Sequence, residues 1–185
     1  LLFANPFRPH LRLLLKTALS TKRGKDILDI RFWSATPYKF GDREAKYSIT
    51  PHRTNSPHPH SVSPTFLRES MAARLALKEV TYDFGIQFRA DEHSMPVDDP
   101  SVVWSEHRSP FRTVATIRIP KQTFDTPEQN LFGDNLAFTP WRCLPDHQPL
   151  GGINTARREI YRNLSAFRHA RNHTPATEPS PNDTP

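Results

Sequence analysis

The stretch ARREIYRNLSAFRHARN, residues 156–172, carries the most informative pattern in this chain of 185 residues. Apolar residues recur there at the three- and four-residue spacing of a helix, which predicts a helix from about Asn154 to Phe167. Arg157 and Tyr161 fall on the same stripe, with one side chain a turn above the other. We expect this stripe to face the core, and its apolar members are Ile153, Ala156, Ile160, Leu164 and Phe167.

The spacing of Arg157 and Tyr161 indicates a possible iron ligand. An arginine turned toward a core needs an anion or a strong acceptor, and the Tyr161 hydroxyl is its natural partner. A cation held against a phenol favours the phenolate and lowers its pKa, and a phenolate suits ferric iron as an axial haem ligand. Arg168 lies seven residues after Tyr161, on the same side of the helix, where its guanidinium could pair with a haem propionate. A structural alternative stays open: Tyr161 buries its ring while Arg157 extends to the surface.

Period-two alternation predicts a sheet upstream of this helix. Apolar and polar residues alternate over 80–88, and the pattern repeats over 113–119 before Pro120 ends the strand. Residues 31–50 are typical of a strand, turns around Pro37 and Gly41–Asp42, and a second strand at Ala45–Ile49.

Further helices complete the pattern. We expect a helix over residues 5–19 with an apolar stripe and a basic face, and a second amphipathic helix after Ser63–Pro64. Residues 51–64 form a connector rich in Pro, His and Ser, and the tail 173–185 is expected to be disordered. The order of helix, strands, helix, strands and helix predicts an α+β fold with antiparallel pairing.

Composition excludes several classes of protein. The absence of a Gly-X-Y period excludes collagen, and the nineteen prolines exclude a coiled coil because they interrupt every heptad run. Cys143, the one cysteine, excludes a disulfide scaffold. No apolar run is long enough for a membrane helix. The net charge of +6 is spread over the whole length, which disfavours a nucleic-acid partner. The compartment stays open, with a soluble, cytoplasmic protein favoured.

Three histidines in the connector, His52, His58 and His60, are a candidate metal cluster. Alternating His and Pro in a loop lacks the fixed spacing or cysteine partners of a good site, so this interpretation is disfavoured. Four other histidines are expected at the surface: His10, His93, His107 and His147.

Residues 156–172 resemble the proximal helix of the haem catalases, in which Arg, three residues, Tyr and a second Arg seven residues later recur. Residues 103–141 (VWSEHRSPFRTVATIRIPKQTFDTPEQNLFGDNLAFTPW) are similar to the catalase segment from a Val-Trp pair to an Ala-Phe-x-Pro turn. Residues 41–51 (GDREAKYSITP) resemble a catalase strand, and residues 144–158 (LPDHQPLGGINTARR) resemble the smaller catalase-related branch. The resemblance is clearest over 32–172.

The resemblance implies a fold, a cofactor and three site residues. Residues 1–172 would form the C-terminal, proximal part of a catalase-like haem domain, with a partial antiparallel β-barrel and flanking helices. Tyr161 would be the axial iron ligand, Arg157 would keep it as the phenolate, and Arg168 would contact a haem propionate. The substrate would be hydrogen peroxide or an organic hydroperoxide, and a homo-oligomer is compatible with the family.

The chain also departs from the family pattern. The distal histidine, the asparagine beside it and the N-terminal haem-contacting arginines have no counterpart here, so we expect the N-terminal half of the same protein as the partner of this chain. Whether the chain acts as an enzyme stays open, although the complete protein is expected to be one. The alternatives are a non-catalytic haem-binding protein of the same fold and a haem enzyme that rearranges fatty-acid hydroperoxides.

Overall fold

The computed structural model describes residues 26–52 and 63–174. Within these residues a five-stranded antiparallel sheet is accompanied by three α-helices and two short 3-10 helices. The strands are β1 (Phe32–Trp33), β2 (Tyr38–Phe40), β3 (Arg43–Pro51), β4 (Val80–Phe88) and β5 (Arg112–Ile119); the α-helices are α1 (Phe66–Leu77), α2 (Pro127–Asn135) and α3 (Gly151–Asn172); the 3-10 helices are Ile27–Asp29 and Pro145–His147.

Strands β3 and β4 form the middle of the sheet, and β4 is the strand predicted from alternation over residues 80–88. Tyr47 of β3 lies opposite Ile86 of β4, and Phe84 of β4 lies opposite Ala115 of β5. The short strands β1 and β2 both pair with β3, each along a different part of its length. Because Gly41 adopts φ +65° in the turn between β2 and β3, the chain reverses tightly there.

Helix α1 packs on one face of the sheet and forms the apolar core with it. Leu75 of α1 lies against Leu28, Val80 and Tyr82, and all four are buried. Arg74, on the same helix, forms ion pairs with Asp26 at 2.8 Å and Asp29 at 3.0 Å, nearly out of contact with solvent.

This ion pair perturbs both of its partners. Burial alone would raise the pKa of Asp26, but hydrogen bonds from Arg74, the Leu28 amide and Ser70 hold that pKa below its ordinary value. Burial alone would likewise lower the pKa of Arg74, and the two carboxylates raise it instead.

Helix α3 begins at Gly151 and ends at Asn172, so it extends beyond both ends of the predicted helix over 154–167. Gly151 has φ +84°, and a Cβ built on it would lie 2.5 Å from Asp98 Oδ1. The same carboxylate oxygen accepts a hydrogen bond of 2.6 Å from the amide of Gly152. Glycine therefore permits both the left-handed backbone and the close approach of Asp98 to the first turn of the helix.

The predicted α+β class is confirmed, and the sheet is open: no closed barrel is present in the described part of the chain. The expectation that the apolar stripe of α3 faces the core is wrong. Ile160, Leu164 and Phe167 are 53%, 60% and 64% exposed, and Ile153 is exposed as well. The side of α3 that meets the sheet and α2 is polar instead, with Asn154 and His169 buried there.

Three predicted elements lie outside the described residues: the helix over 5–19, most of the connector with His58 and His60, and the tail beyond Thr174. The second amphipathic helix is confirmed as α1. Among the described helices, none combines the length and the apolar character that crossing a membrane requires.

Candidate functional site

Arg157 and Tyr161 form a contact pair on α3, as their spacing predicts. The Arg157 Nη2 atom donates a hydrogen bond of 3.1 Å to the Tyr161 hydroxyl oxygen, and the guanidinium carbon lies 5.2 Å from the centre of the phenol ring. This hydrogen bond raises the pKa of Arg157, although partial burial opposes the shift. The phenolic oxygen thus accepts a charge-assisted hydrogen bond from a permanent cation.

Asn154, one turn before Arg157, connects this pair to the sheet. Its side chain is fully buried, and its Oδ1 atom accepts hydrogen bonds of 3.0 Å from Arg157 Nη1 and from the Thr36 hydroxyl. Its Nδ2 atom donates to the carbonyl oxygens of Pro37, at 3.1 Å, and Leu150, at 2.7 Å. Asn154 was not predicted as a site residue, because a single asparagine on a helix has no periodic or motif signal.

Backbone pairing brings the start of α3 to the connection between β1 and β2. The Leu150 amide donates to the Pro37 carbonyl at 3.1 Å, and the Lys39 amide donates to the Gln148 carbonyl at 2.8 Å. Pro149 forms an isolated antiparallel bridge with Tyr38. The segment before α3 is therefore fastened along β2, which fixes where Arg157 meets the sheet.

Tyr161 is 36% exposed and lines a cleft of about 250 Å³ between α3 and residues 137–142. Phe138 and Trp141 provide apolar surface there, and the Trp141 indole Nε1 donates a hydrogen bond of 3.0 Å to the Asn154 carbonyl. Three cationic side chains also line the cleft: Arg142, Arg158 and Arg162.

Arg168 lies at the junction of α3 with α2. Its Nη2 atom donates to the Leu136 carbonyl, and the neighbouring His169 Nε2 lies 2.8 Å from the Asn135 carbonyl. Both side chains thus meet carbonyl groups at the C-terminal end of α2, where positive charge is favourable. Arg168 does not line the Tyr161 cleft.

Three of the histidines predicted at the surface, His93, His107 and His147, are exposed. His52 pairs with Asp83 at 2.9 Å. The described residues contain no cluster of three or more His, Cys, Asp or Glu side chains that would hold a metal ion.

A larger cleft, of about 380 Å³, shares no lining residue with the cleft of Tyr161. Trp33, Trp104 and Phe111 line it together with Lys46, whose ammonium lies 4.8 Å from the centre of the Trp104 ring. Burial lowers the pKa of Lys46. Size alone therefore does not identify the candidate site, which we place at Tyr161 on the chemistry of its contacts.

The donor set around Tyr161 fits a haem group. The phenolic oxygen of a partly exposed tyrosine that accepts a hydrogen bond from a guanidinium has the chemistry of a ligand for ferric iron. The aromatic rings of Phe138 and Trp141 offer apolar surface for a flat macrocycle, and the arginines of the cleft offer partners for its carboxylates.

Comparison with known proteins supports the fold. No family model matches the chain, and no curated protein is similar to it in sequence. A fungal catalase structure is 17% identical with a TM-score of 0.64, over 80% of this chain and 32% of its own. Catalase A from Saccharomyces cerevisiae is 16% identical with a TM-score of 0.61, over 78% and 33%. A bacterial catalase is 14% identical with a TM-score of 0.61, over 78% and 31%.

The fold of this chain is therefore catalase-like, and the resemblance inferred from the sequence is confirmed at the level of the fold. The chain spans about a third of the length of these catalases.

Proposed function

We propose that this chain provides the proximal side of a haem site in a catalase-like oxidoreductase that acts on hydrogen peroxide or organic hydroperoxides. The observation that supports this proposal is the 3.1 Å hydrogen bond from Arg157 to the Tyr161 hydroxyl, on a helix of a catalase-like fold. Helix α3 is the proposed counterpart of the proximal helix in the smaller catalase-related branch.

Tyr161 would be the axial ligand of the haem iron, with Arg157 keeping its oxygen anionic. When bound, the haem would supply the redox chemistry of its iron toward peroxides. Arg157 donates a hydrogen bond to the Tyr161 oxygen and would thereby limit how much electron density that oxygen gives to a bound iron. Phe138 and Trp141 would exclude water from one side of the macrocycle.

Arg168 is the proposed contact of a haem propionate. One of its terminal nitrogens already donates to the Leu136 carbonyl, so a propionate would use the other. Arg158 and Arg162 line the cleft itself and are competing contacts. Separate replacement of Arg168 and Arg158 by Ala, with haemin affinity as the readout, distinguishes them.

The remainder of a catalase-like domain is the proposed partner of this chain. Supporting observations are the coverage of about a third of the catalases and the exposed apolar stripe of α3. Such a stripe is typical of an interaction surface, and the proposed partner would cover it. That remainder would also supply the distal acid–base groups.

A non-catalytic haem protein is the second candidate function. In the part of the chain that the structure describes, no histidine lines the Tyr161 cleft. Oxygen release from hydrogen peroxide by the complete haem-loaded protein would support the enzyme. Conversion of a fatty-acid hydroperoxide without oxygen release would indicate the rearranging enzyme instead, and inertness toward both would support the non-catalytic protein.

Haemin titration tests the ligand assignment directly. We expect the chain to bind haemin with the Soret and charge-transfer bands of a tyrosinate-ligated ferric haem, and Tyr161→Phe to abolish these bands. Tyr47→Phe is the matched control, because Tyr47 lines a different cleft and donates to the Lys39 carbonyl. A ferric spectrum that is the same in Tyr161→Phe as in the unmodified chain would refute the assignment.

A further inference from the structure

The amide of Asn154 uses its full hydrogen-bonding capacity in a fully buried position. Its oxygen accepts from two donors, the Thr36 hydroxyl and Arg157 Nη1, and its nitrogen donates to two carbonyls, those of Pro37 and Leu150. Because each end of the amide meets groups of the opposite kind, its orientation is fixed. Aspartate would lose both donations, and leucine would lose all four bonds.

These bonds also immobilise the guanidinium of Arg157. Asn154 accepts from Nη1 at 3.0 Å on one side, while Tyr161 accepts from Nη2 at 3.1 Å on the other. Rotation about the Nε–Cζ bond breaks both contacts at once. The Thr36 hydroxyl and the Tyr38 hydroxyl lie further from Nη1, at 3.5 Å each, and hold it less tightly.

We propose that Asn154 is a positioning residue, which anchors α3 to the connection between β1 and β2 and presents the Arg157 guanidinium to the Tyr161 oxygen. The role of the Tyr161 oxygen rests on the proposed function, whereas the positioning of the Arg157 guanidinium by Asn154 does not. Arg157 donates to neutral groups: the Asn154 amide oxygen and the hydroxyls of Thr36, Tyr38 and Tyr161.

Nitrogen-15 NMR of the full chain without haem tests the positioning. In the unmodified chain we expect separate Nη1 and Nη2 signals for Arg157, assigned by their loss in Arg157→Lys. Asn154→Leu should accelerate rotation about Nε–Cζ about tenfold, because one hydrogen bond to a charged group is lost. Asn154→Asp retains an acceptor and should rotate no faster than the unmodified chain. Asn163→Leu is the matched control, since Asn163 is exposed on the same helix.

The outcomes separate positioning from a merely structural role. Unchanged Arg157 rotation in folded Asn154→Leu, with only a lower melting temperature, would overturn the proposal. If the leucine variant does not fold, faster rotation in Asn154→Asp overturns it and equal or slower rotation supports it. In the haemin-loaded chain, Asn154→Leu should shift the charge-transfer bands while Asn163→Leu leaves them in place. Failure of the unmodified chain to bind haemin would refute the proposed function alone, because the NMR result does not depend on haem.

Discussion

Removal of the Arg157 guanidinium measures how strongly it supports the Tyr161 oxygen. Arg157→Ala deletes the 3.1 Å hydrogen bond to Tyr161 but leaves the phenol in place. A hydrogen bond to a charged group contributes about 1.5–3 kcal/mol. Since Tyr161 is 36% exposed and water replaces part of the loss, we take the low end, about 1.5 kcal/mol, which corresponds to about a tenfold weaker affinity for haemin.

The assay is a haemin titration followed at the Soret band, with the reduction potential of the bound haem as a second measurement. We expect Arg157→Ala to retain haem, to bind it about tenfold more weakly and to change its potential. Arg171→Ala is the control, because Arg171 is exposed in the last turn of the same helix. An affinity within twofold of the unmodified chain, with an unchanged potential, would refute the role of the cation.

Further predictions concern stability. Arg74→Met leaves Asp26 buried without its cation, so we expect a loss of about 3–5 kcal/mol in urea unfolding; a loss below about 1 kcal/mol would contradict the burial of the pair. Because the pKa of Asp26 is lowered in the folded chain, its ionised form contributes to the free energy of unfolding. This contribution is complete above the ordinary pKa of 3.8 and disappears as the pH falls through the folded pKa. Melting temperatures measured at decreasing pH should therefore fall less steeply in Asp26→Asn than in the unmodified chain. Gly151→Ala should lower the free energy of unfolding by about 1–2 kcal/mol, since φ is +84° and the new Cβ meets Asp98. Gly133→Ala is the control and should not destabilise the chain, because a Cβ there meets open space. Equal melting temperatures for the two variants would contradict the strain at Gly151.

Strand β4 shows what could be predicted from the sequence. Its alternation of Val, Tyr, Phe and Ile with polar residues predicts residues 80–88, and the observed strand has those bounds. The Arg157–Tyr161 contact was predictable for the same reason, since it depends only on local helical spacing. Both features are set by the regular geometry of one element.

Features that depend on distant contacts were not predictable in this way. Helical periodicity shows that α3 has an apolar stripe, but not whether any other element covers it, and the stripe proved to be exposed. The Thr36–Asn154 hydrogen bond joins residues 118 positions apart, so it has no signature in either local sequence. The orientation of α3 follows from such polar contacts rather than from its apolar residues.

Strand β5 has a consequence for how the protein is assembled. Among the described strands it pairs with β4 alone, so its outer edge carries a row of unpaired backbone amides and carbonyls. An edge of this kind is a template for the addition of a strand from elsewhere, including the wrong copy of the same chain. The exposed guanidinium of Arg112, the Arg118–Glu79 ion pair of 2.7 Å and the following Pro120 oppose indiscriminate pairing. Correct addition to this edge therefore requires a strand that tolerates charged side chains beside it.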